Sequence, residues 1–488
     1  MTTLAKLTFN NTFSRLNKDL YSHVTPQGLE KPFLVSANPL AATLIGLDSS
    51  ELYTQAFVDI FSGNQLLEQS APLAMIYSGH QFGAYNPQLG DGRGLLLGEV
   101  ASEQHGKWDL HLKGAGKTPY SRFADGRAVL RSSIREYLCS EAMAGLDIPT
   151  TRALCIMGSQ TPVYRERVET GAMVLRLAKS HIRFGHFEYF HYNQRPDIVK
   201  QLADYTIAQQ YPEVLDTQAP YVEFFKAIIK RTAILIANWQ AVGFAHGVMN
   251  TDNMSIVGDT FDYGPYGFLD DYEPEFICNH SDHQGRYAFD RQPAIGLWNL
   301  NALAHGLSSL IEREQLSAAL STYEKILVET YTQLMQKKLG LQTVLEEDHA
   351  LLSTLLQLLE KNSIDYTYFF RQLCYSSESS ESSESTLRDL FVDNVAFDHW
   401  LQQYQSRLNK EPDNRQRKQH MLSTNPKYTL RNYLAQKAIS LAESEKDYSE
   451  VNTLLKLVQS PFDEHPDYDA YAKPPPDSGK KLEISCSS

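Results

Sequence analysis

The chain has 488 residues, 42% of them hydrophobic and 21% charged, which is the composition of a globular protein rather than a disordered or fibrous one. Forty-five basic against fifty-eight acidic residues leave a net charge of −13, and this argues against a broad nucleic-acid or anionic-membrane surface. Five scattered cysteines are too few for a disulfide framework, and MTTLAKLTFNNTFSRL has neither the apolar core nor the cleavage pattern of a secretory signal, so a reducing, cytoplasmic setting is expected.

Residues 1–75 read as an irregular N-terminal segment with short apolar pieces such as PFLVSANPLAATLIGL. Gly90, Gly92 and Gly94 then precede the apolar run Leu95–Leu97. In the following WDLHLKGAG, Trp108, Leu110 and Leu112 alternate with Asp109, His111 and Lys113, the period of a half-buried strand. SSIREYLCSEAMAG places Ile134, Leu138 and Ala142 at helical spacing, with Gly145 as a stop. From about residue 196 the pattern is mainly helical: Ile228, Leu235, Trp239 and Val242 mark one face of a helix ending near Gly243. The uncharged stretch Thr232–Thr251 includes Asn238, Gln240, His246 and Asn250, so it suits a buried helix running into a polar loop better than a bilayer span. Gly247–Tyr272 reads as loop and small strands, and helical periodicity returns at Gly296–His305, Ser317–Glu360 and Leu430–Ala442. The run SSESSESSES at 376–385 reads as mobile, since it has nothing to bury, and the tail AKPPPDSGKKLEISCSS opens as an extended proline-rich linker.

Four pieces carry chemistry. GDGRG, Gly90–Gly94, lets backbone N–H groups approach phosphate oxygens, and Arg93 adds a charge-assisted contact, though glycine-rich hairpin turns look the same. Lys113 on a strand with Glu136 on the next helix matches the lysine–glutamate pair of kinase-like folds; a solvated lysine and a capping box, Ser133-Ile134-Arg135-Glu136, are the plainer alternatives. His246-Gly247-Val248-Met249-Asn250-Thr251-Asp252-Asn253 has the H-x₆-N spacing of a kinase catalytic loop, and Asp262-Tyr263-Gly264 is a variant of D-F-G. Asn253 and Asp262 are hard oxygen donors of the kind Mg²⁺ or Mn²⁺ takes beside nucleotide phosphates. Their joint order along the chain points to a kinase-like nucleotide site. Yet Val248 stands where a kinase places its catalytic aspartate. Either catalysis is lost and the chain is a nucleotide-binding scaffold, or the base has moved, with Asp252 the nearest carboxylate; Asp252 also fits a metal-shell or turn residue. Cys278, His280 and His283 are too loosely spaced to indicate a zinc site, and His80 reads as a hydrogen-bonded structural histidine.

These residues, with the blocks YSGHQFGAYNPQLGDGRG (77–94), LHLKGAGKTPYSRFADGRAVLRSSIREYL (110–138), HGVMNTDNMSI (246–256), FDYGPYGFLDDY (261–272) and NPKYTLRNYLAQ (425–436), make the chain resemble the selenoprotein O family. The resemblance implies an α+β, protein-kinase-like bilobal fold, long classed as a pseudokinase. Its lobes are expected at 76–195 and 196–370, with an N-terminal extension over 1–75 and a helical C-terminal extension over 371–488. It also implies transfer of AMP from ATP, bound in reversed orientation, to Ser, Thr or Tyr hydroxyls of protein substrates; UMP transfer from UTP stays open as an alternative. By motif position it implies nucleotide contacts from Gly90, Gly92, Arg93, Lys113, Asp125, Gly126, Arg176, Arg183 and Asp262, metal ligation by Asn253 and Asp262, and Asp252 as proton acceptor. Ser485-Cys486-Ser487-Ser488 sits where some members carry selenocysteine. Cys278 and Cys486 are then either a reversible disulfide pinning the tail across the cleft or two unrelated thiols.

Overall fold

The computed structural model describes residues 1–376, 386–412, 415–480 and 482. Twelve strands occur among them: β1 (Tyr21–His23), β2 (Phe33–Ala37), β3 (Leu73–Met75), β4 (Gly79–Gln81), β5 (Ala84–Asn86), β6 (Gly94–Ser102), β7 (Gly106–Lys113), β8 (Ala128–Val129), β9 (Arg152–Tyr164), β10 (Val168–Ala178), β11 (Phe244–Ala245) and β12 (Gly267–Phe268). Eight form one antiparallel sheet in the order β1-β3-β6-β7-β10-β9-β2, with β8 pairing β10. The two-residue alternation then decides the faces. Leu110 and Leu112 of β7 pack with Leu95, Leu97, Leu175 and Leu177 on one face, under Phe57 and Phe61 of the N-terminal segment. On the other face β7 presents Asp109, His111 and Lys113, and the register sets His111 opposite Arg176 and Lys113 opposite Gly94.

Two sequence expectations change here. Residues 1–75 are not an irregular appendage: they supply β1, β2 and β3 and helices at Pro39–Leu44 and Gln55–Phe61. β7 is also buried on both faces over Asp109–Lys113 instead of half-buried: residues 1–75 cover its leucine face, and Glu136, His181 and Asp91 meet its polar side chains. The cover comes from residues far away in sequence, which local periodicity does not reveal.

The helix Leu130–Gly145 crosses the polar face of the sheet, packing Ile134, Tyr137 and Leu138 against Leu96, Ile156 and Val174. Its N-cap is Val129, so Ser133 and Glu136 lie inside it and no capping box forms. The helix Pro220–Val242 opens with Pro at its first position and closes on Gly243 at φ 71°, the left-handed cap that glycine adopts without cost. It leads into the β11–β12 hairpin, Phe244 opposite Phe268, which brackets the stretch from His246 to Asp262. The helices Gln292–Gly306, Arg313–Leu320 and Tyr323–Lys338 surround Pro220–Val242, and a further core of Leu355, Phe369, Trp400 and Tyr404 holds the C-terminal helical region. The helices Asn432–Ser444 and Ser449–Gln459 return to pack on Leu130–Gly145. The fold is therefore mixed α/β with a helical C-terminal region. Among the described residues no helix is long and apolar enough to cross a membrane.

Candidate active site

A cavity of about 710 Å³ opens between the polar face of the sheet and the β11–β12 region, and every residue expected to contact nucleotide, hold metal or take the proton lines it. From the sheet side come Gly90, Gly92 and Arg93 ahead of β6, Lys113 at the end of β7, Arg176 on β10, and Asp125 with Gly126 in the loop before β8. From the other side come Arg183, Asp252, Asn253 and Asp262. Gly90 sits at φ 103°, and a Cβ there would lie 2.7 Å from the Tyr120 ring, so the turn demands glycine.

Glu136 is the hub on the sheet side. Its two carboxylate oxygens pair with Lys113 Nζ and Arg176 Nε respectively. Burial alone would raise Glu136, but Arg176 and Lys113 hold it at about 2, while burial brings Lys113 down to about 8. Arg176 also reaches Asp262, Nη1 to Oδ1 at 2.8 Å, and Arg183 pairs with the other Asp262 oxygen. Against the cost of burial, Arg183, Arg176 and Lys113 keep the Asp262 carboxyl well below the usual range, so it is ionised. Arg183 lies between the Tyr77 and Phe261 rings, 4.7 and 4.6 Å from their centroids, and donates to the Asp252 carbonyl at 2.7 Å.

Asp262 is held at φ 61°, a left-handed conformation that costs energy in any residue with a Cβ and is best tolerated by Asp and Asn. The loop before it is locked by buried His246, whose N–H donates to Gln292 Oε1 at 2.9 Å and whose Nε2 lies 3.1 Å from the Phe261 carbonyl. Val248 lines the cavity with an apolar side chain, and its carbonyl accepts from Asn253 Nδ2 at 2.9 Å, which leaves the Asn253 carbonyl oxygen as the group's remaining ligand atom. Asp252 is buried, and desolvation raises its carboxyl to about 7 despite Arg183 and a hydrogen bond from Gln81.

The buried polar atoms around the cavity that have no hydrogen-bond partner among the described residues include Asp252 Oδ1, Arg176 Nη2 and Arg183 Nε. Such orphans are costly unless a ligand satisfies them. Here one acceptor stands beside an ionised Asp262 and the Asn253 oxygen, a donor set that fits a hard divalent cation sharing its other ligands with phosphate. Among the described residues there is no group of three or more His, Cys, Asp or Glu able to bind a metal unaided.

A family model described as "Protein adenylyltransferase SelO" matches residues 3–459. The chain belongs to the SelO family. Among curated relatives, the Protein nucleotidyltransferase YdiU of Pseudomonas fluorescens strain SBW25 is 53% identical over 490 residues, covering 100% of both chains. That of Aliivibrio salmonicida is 54% identical over 483 residues, 99% of each. The chain is thus an enzyme of a nucleotidyltransferase family.

Several parts of this SelO-family cavity escape a reading by motif. Asp91, between two of the loop glycines, is buried and accepts from the Met75 N–H at 3.0 Å and the Tyr77 hydroxyl at 3.2 Å. Burial opposes its charge, but His111 and Arg183 hold it at about 2. A carboxylate framed by glycines was the available signal, and it passes for a turn residue. Arg165 grips Asp125 through two bonds at 2.8 and 2.9 Å, a partnership across forty residues that no local pattern announces. His80, by contrast, is the hydrogen-bonded histidine the sequence suggests, with Nδ1 2.5 Å from buried Glu188. Cys278 is buried, its thiol donating to the Ala245 carbonyl at 3.5 Å; Cys486 and residues 377–385 lie outside the described residues, so the proposed pairing of Cys278 with Cys486 is not visible.

Proposed function

We propose that this chain is a protein adenylyltransferase, moving AMP from ATP to Ser, Thr or Tyr hydroxyls of proteins and releasing pyrophosphate. In this reading the sheet-bearing part at 76–195 and the helical part at 196–370 act as the two lobes of a protein-kinase-like fold, with 1–75 and 371–488 as additions. The observation that carries it is the convergence of four cations and three hard-oxygen side chains on one cavity: Arg93, Lys113, Arg176 and Arg183 with Asp252, Asn253 and Asp262.

Each group has a task its surroundings favour. Lys113, held by Glu136, and the spare donors of Arg176 and Arg183 are placed to take phosphate oxygens, and Gly90, Gly92, Arg93, Asp125 and Gly126 line the same cavity as further nucleotide contacts. Asn253 and Asp262 would hold Mg²⁺ or Mn²⁺. When bound, that ion would neutralise phosphate charge and stabilise the departing pyrophosphate. Asp252, with Oδ1 unpartnered and its carboxyl near neutral pH, is suited to take the proton of the acceptor hydroxyl. The apolar Val248 cannot take a proton, which disfavours γ-phosphoryl transfer by the usual kinase base. The names of the SelO family model and of the YdiU relatives support the same chemistry.

The test compares ATP labelled at the α- and γ-phosphates. Label entering protein from the α-position only, with pyrophosphate released, is the expected result. Transfer from the γ-position would make the chain a phosphotransferase, and transfer of neither label, together with thermal stabilisation by Mg·ATP, would make it a non-catalytic scaffold.

A further inference from the structure

The hairpin that precedes the glycine run has no part in the roles assigned above, yet it is built against the residue proposed as base. β4 and β5 pair Gly79 with Asn86, His80 with Tyr85 and Gln81 with Ala84, closed by Phe82 at φ 50° and Gly83 at φ 83°. Two successive positive-φ residues give the tight turn whose twist matches a two-stranded ribbon. The hairpin is fastened to the loop carrying Asp252 both directly and through the Tyr287 hydroxyl. The His80 N–H donates to Thr251 Oγ1 at 2.7 Å, the Phe82 N–H donates to the Tyr287 hydroxyl at 2.9 Å, and that hydroxyl donates to Asn250 Oδ1 at 2.6 Å. Gly79 is so close that a Cβ on it would lie 2.8 Å from Asp252 Oδ1.

One side chain of the hairpin touches the Asp252 carboxylate. Gln81 Nε2 donates to Asp252 Oδ2 at 3.1 Å, and Asn86 Nδ2 donates to Gln81 Oε1 at 3.4 Å, which fixes the amide with its nitrogen toward Asp252. The other oxygen, Oδ1, is buried and has no hydrogen-bond partner among the described residues. Gln81 and Asp252 both line the cavity.

We infer that Gln81 is a positioning residue for the transfer reaction: by tying down Oδ2 it leaves Oδ1 as the proton-accepting atom. The inference rests on the reading of Asp252 as base. A carboxylate free to rotate would present either oxygen in many orientations, and general-base transfer needs one oxygen within hydrogen-bond reach of the acceptor hydroxyl. Asn86 stands one step farther out and acts through Gln81, so its removal should have the same sign and a smaller size.

Gln81→Met keeps the length of the side chain and removes the N–H. With α-³²P-ATP as donor and casein as acceptor, kcat should fall about 10- to 100-fold, the usual effect of losing a hydrogen bond that orients a reacting group. KM and Kd for Mg·ATP should stay within about twofold, because no interaction with the bound nucleotide is lost. Asn86→Ala should show a smaller kcat loss with the same split, and it gives an independent reading if Gln81→Met melts early. In an Asp252→Ala background Gln81→Met should have no further effect. A raised KM or Kd with kcat intact would put Gln81 on the nucleotide and overturn the inference, as would an equal loss in both backgrounds. Full transfer by Asp252→Ala would overturn the base assignment and this inference with it; an inactive Asp252→Ala beside a fully active Gln81→Met overturns this inference alone.

Discussion

Asp262 carries two burdens that different substitutions separate. Its carboxylate neutralises Arg176 and Arg183, and its backbone sits at φ 61°. Asp262→Asn removes the charge but keeps a side chain that tolerates the left-handed conformation; Asp262→Ala removes both. Both variants should lose the Mg²⁺-dependent part of nucleotide binding, read as the thermal shift on adding Mg·ATP against ATP with chelator. Asp262→Ala should be the less stable of the two by about 1 kcal/mol, from the left-handed strain alone. If either variant keeps the full Mg²⁺-dependent shift, Asp262 is not a metal ligand. Asp252→Ala should behave oppositely: nucleotide binding retained, and AMP transfer reduced about 10²-fold or more, the typical worth of a general base. Loss of binding in that variant would reassign Asp252 to the metal shell.

At the scale of elements, the site depends on how one helix is held. Leu130–Gly145 carries Glu136 to Lys113 and Arg176, and the neighbouring Arg135 ties the helix to the segment after Asp262, donating to the Tyr266 carbonyl at 3.0 Å while the Tyr266 hydroxyl donates to the Arg135 carbonyl at 2.8 Å. Its last residue, Gly145, lies against the C-terminal helix Ser449–Gln459 so closely that a Cβ would fall 2.0 Å from the Val458 carbonyl oxygen. Gly145→Ala must therefore push two packed helices apart. It should cost about 1–3 kcal/mol, the range for overpacking, and lower the melting temperature, although alanine is the better helix former. An unchanged or higher melting temperature would mean that this contact is not tight in solution. Gly145 was legible in the sequence as a helix stop, but its neighbour was not, because the contact spans more than three hundred residues. The same division holds through the fold. The strand ending at Lys113, the helix ending at Gly243 and the order of the motifs can be read from local period and spacing. The cover that residues 1–75 give the sheet, the burial of Asp91, and the second partner of Glu136 come from long-range pairing that has no local signature.

For the molecule as a whole, pH is the variable that sorts its buried charges. Glu136 and Asp91, held at about 2, contribute stability that is present above the ordinary carboxyl range and lost as pH falls toward 2. Lys338 acts at the other end. It closes the helix Tyr323–Lys338 inside the C-terminal region, 4% exposed, with its ammonium 4.4 Å from the Phe370 ring centroid and 5.2 Å from that of Tyr366. Burial brings it down to about 7. Below that pH both folded and unfolded chains carry the charge, and the folded state bears the whole cost of burying it. Between about 7 and the ordinary lysine value the unfolded chain holds a proton that the folded one has released. Stability therefore rises with pH across this window, by up to about 1.4 kcal/mol per unit from this group. Lys338→Met should be more stable than the parent at pH 6, by an amount on the order of a few kcal/mol, because methionine fills the same space without a charge to desolvate. The advantage should shrink steadily as urea melts are repeated at pH 7.5 and pH 9. Since every other titrating group is common to the two proteins, the difference between their curves isolates Lys338. Parallel curves, or a variant that is less stable at pH 6, would show that its ammonium reaches water and that the aromatic faces of Tyr366 and Phe370 do not enclose it.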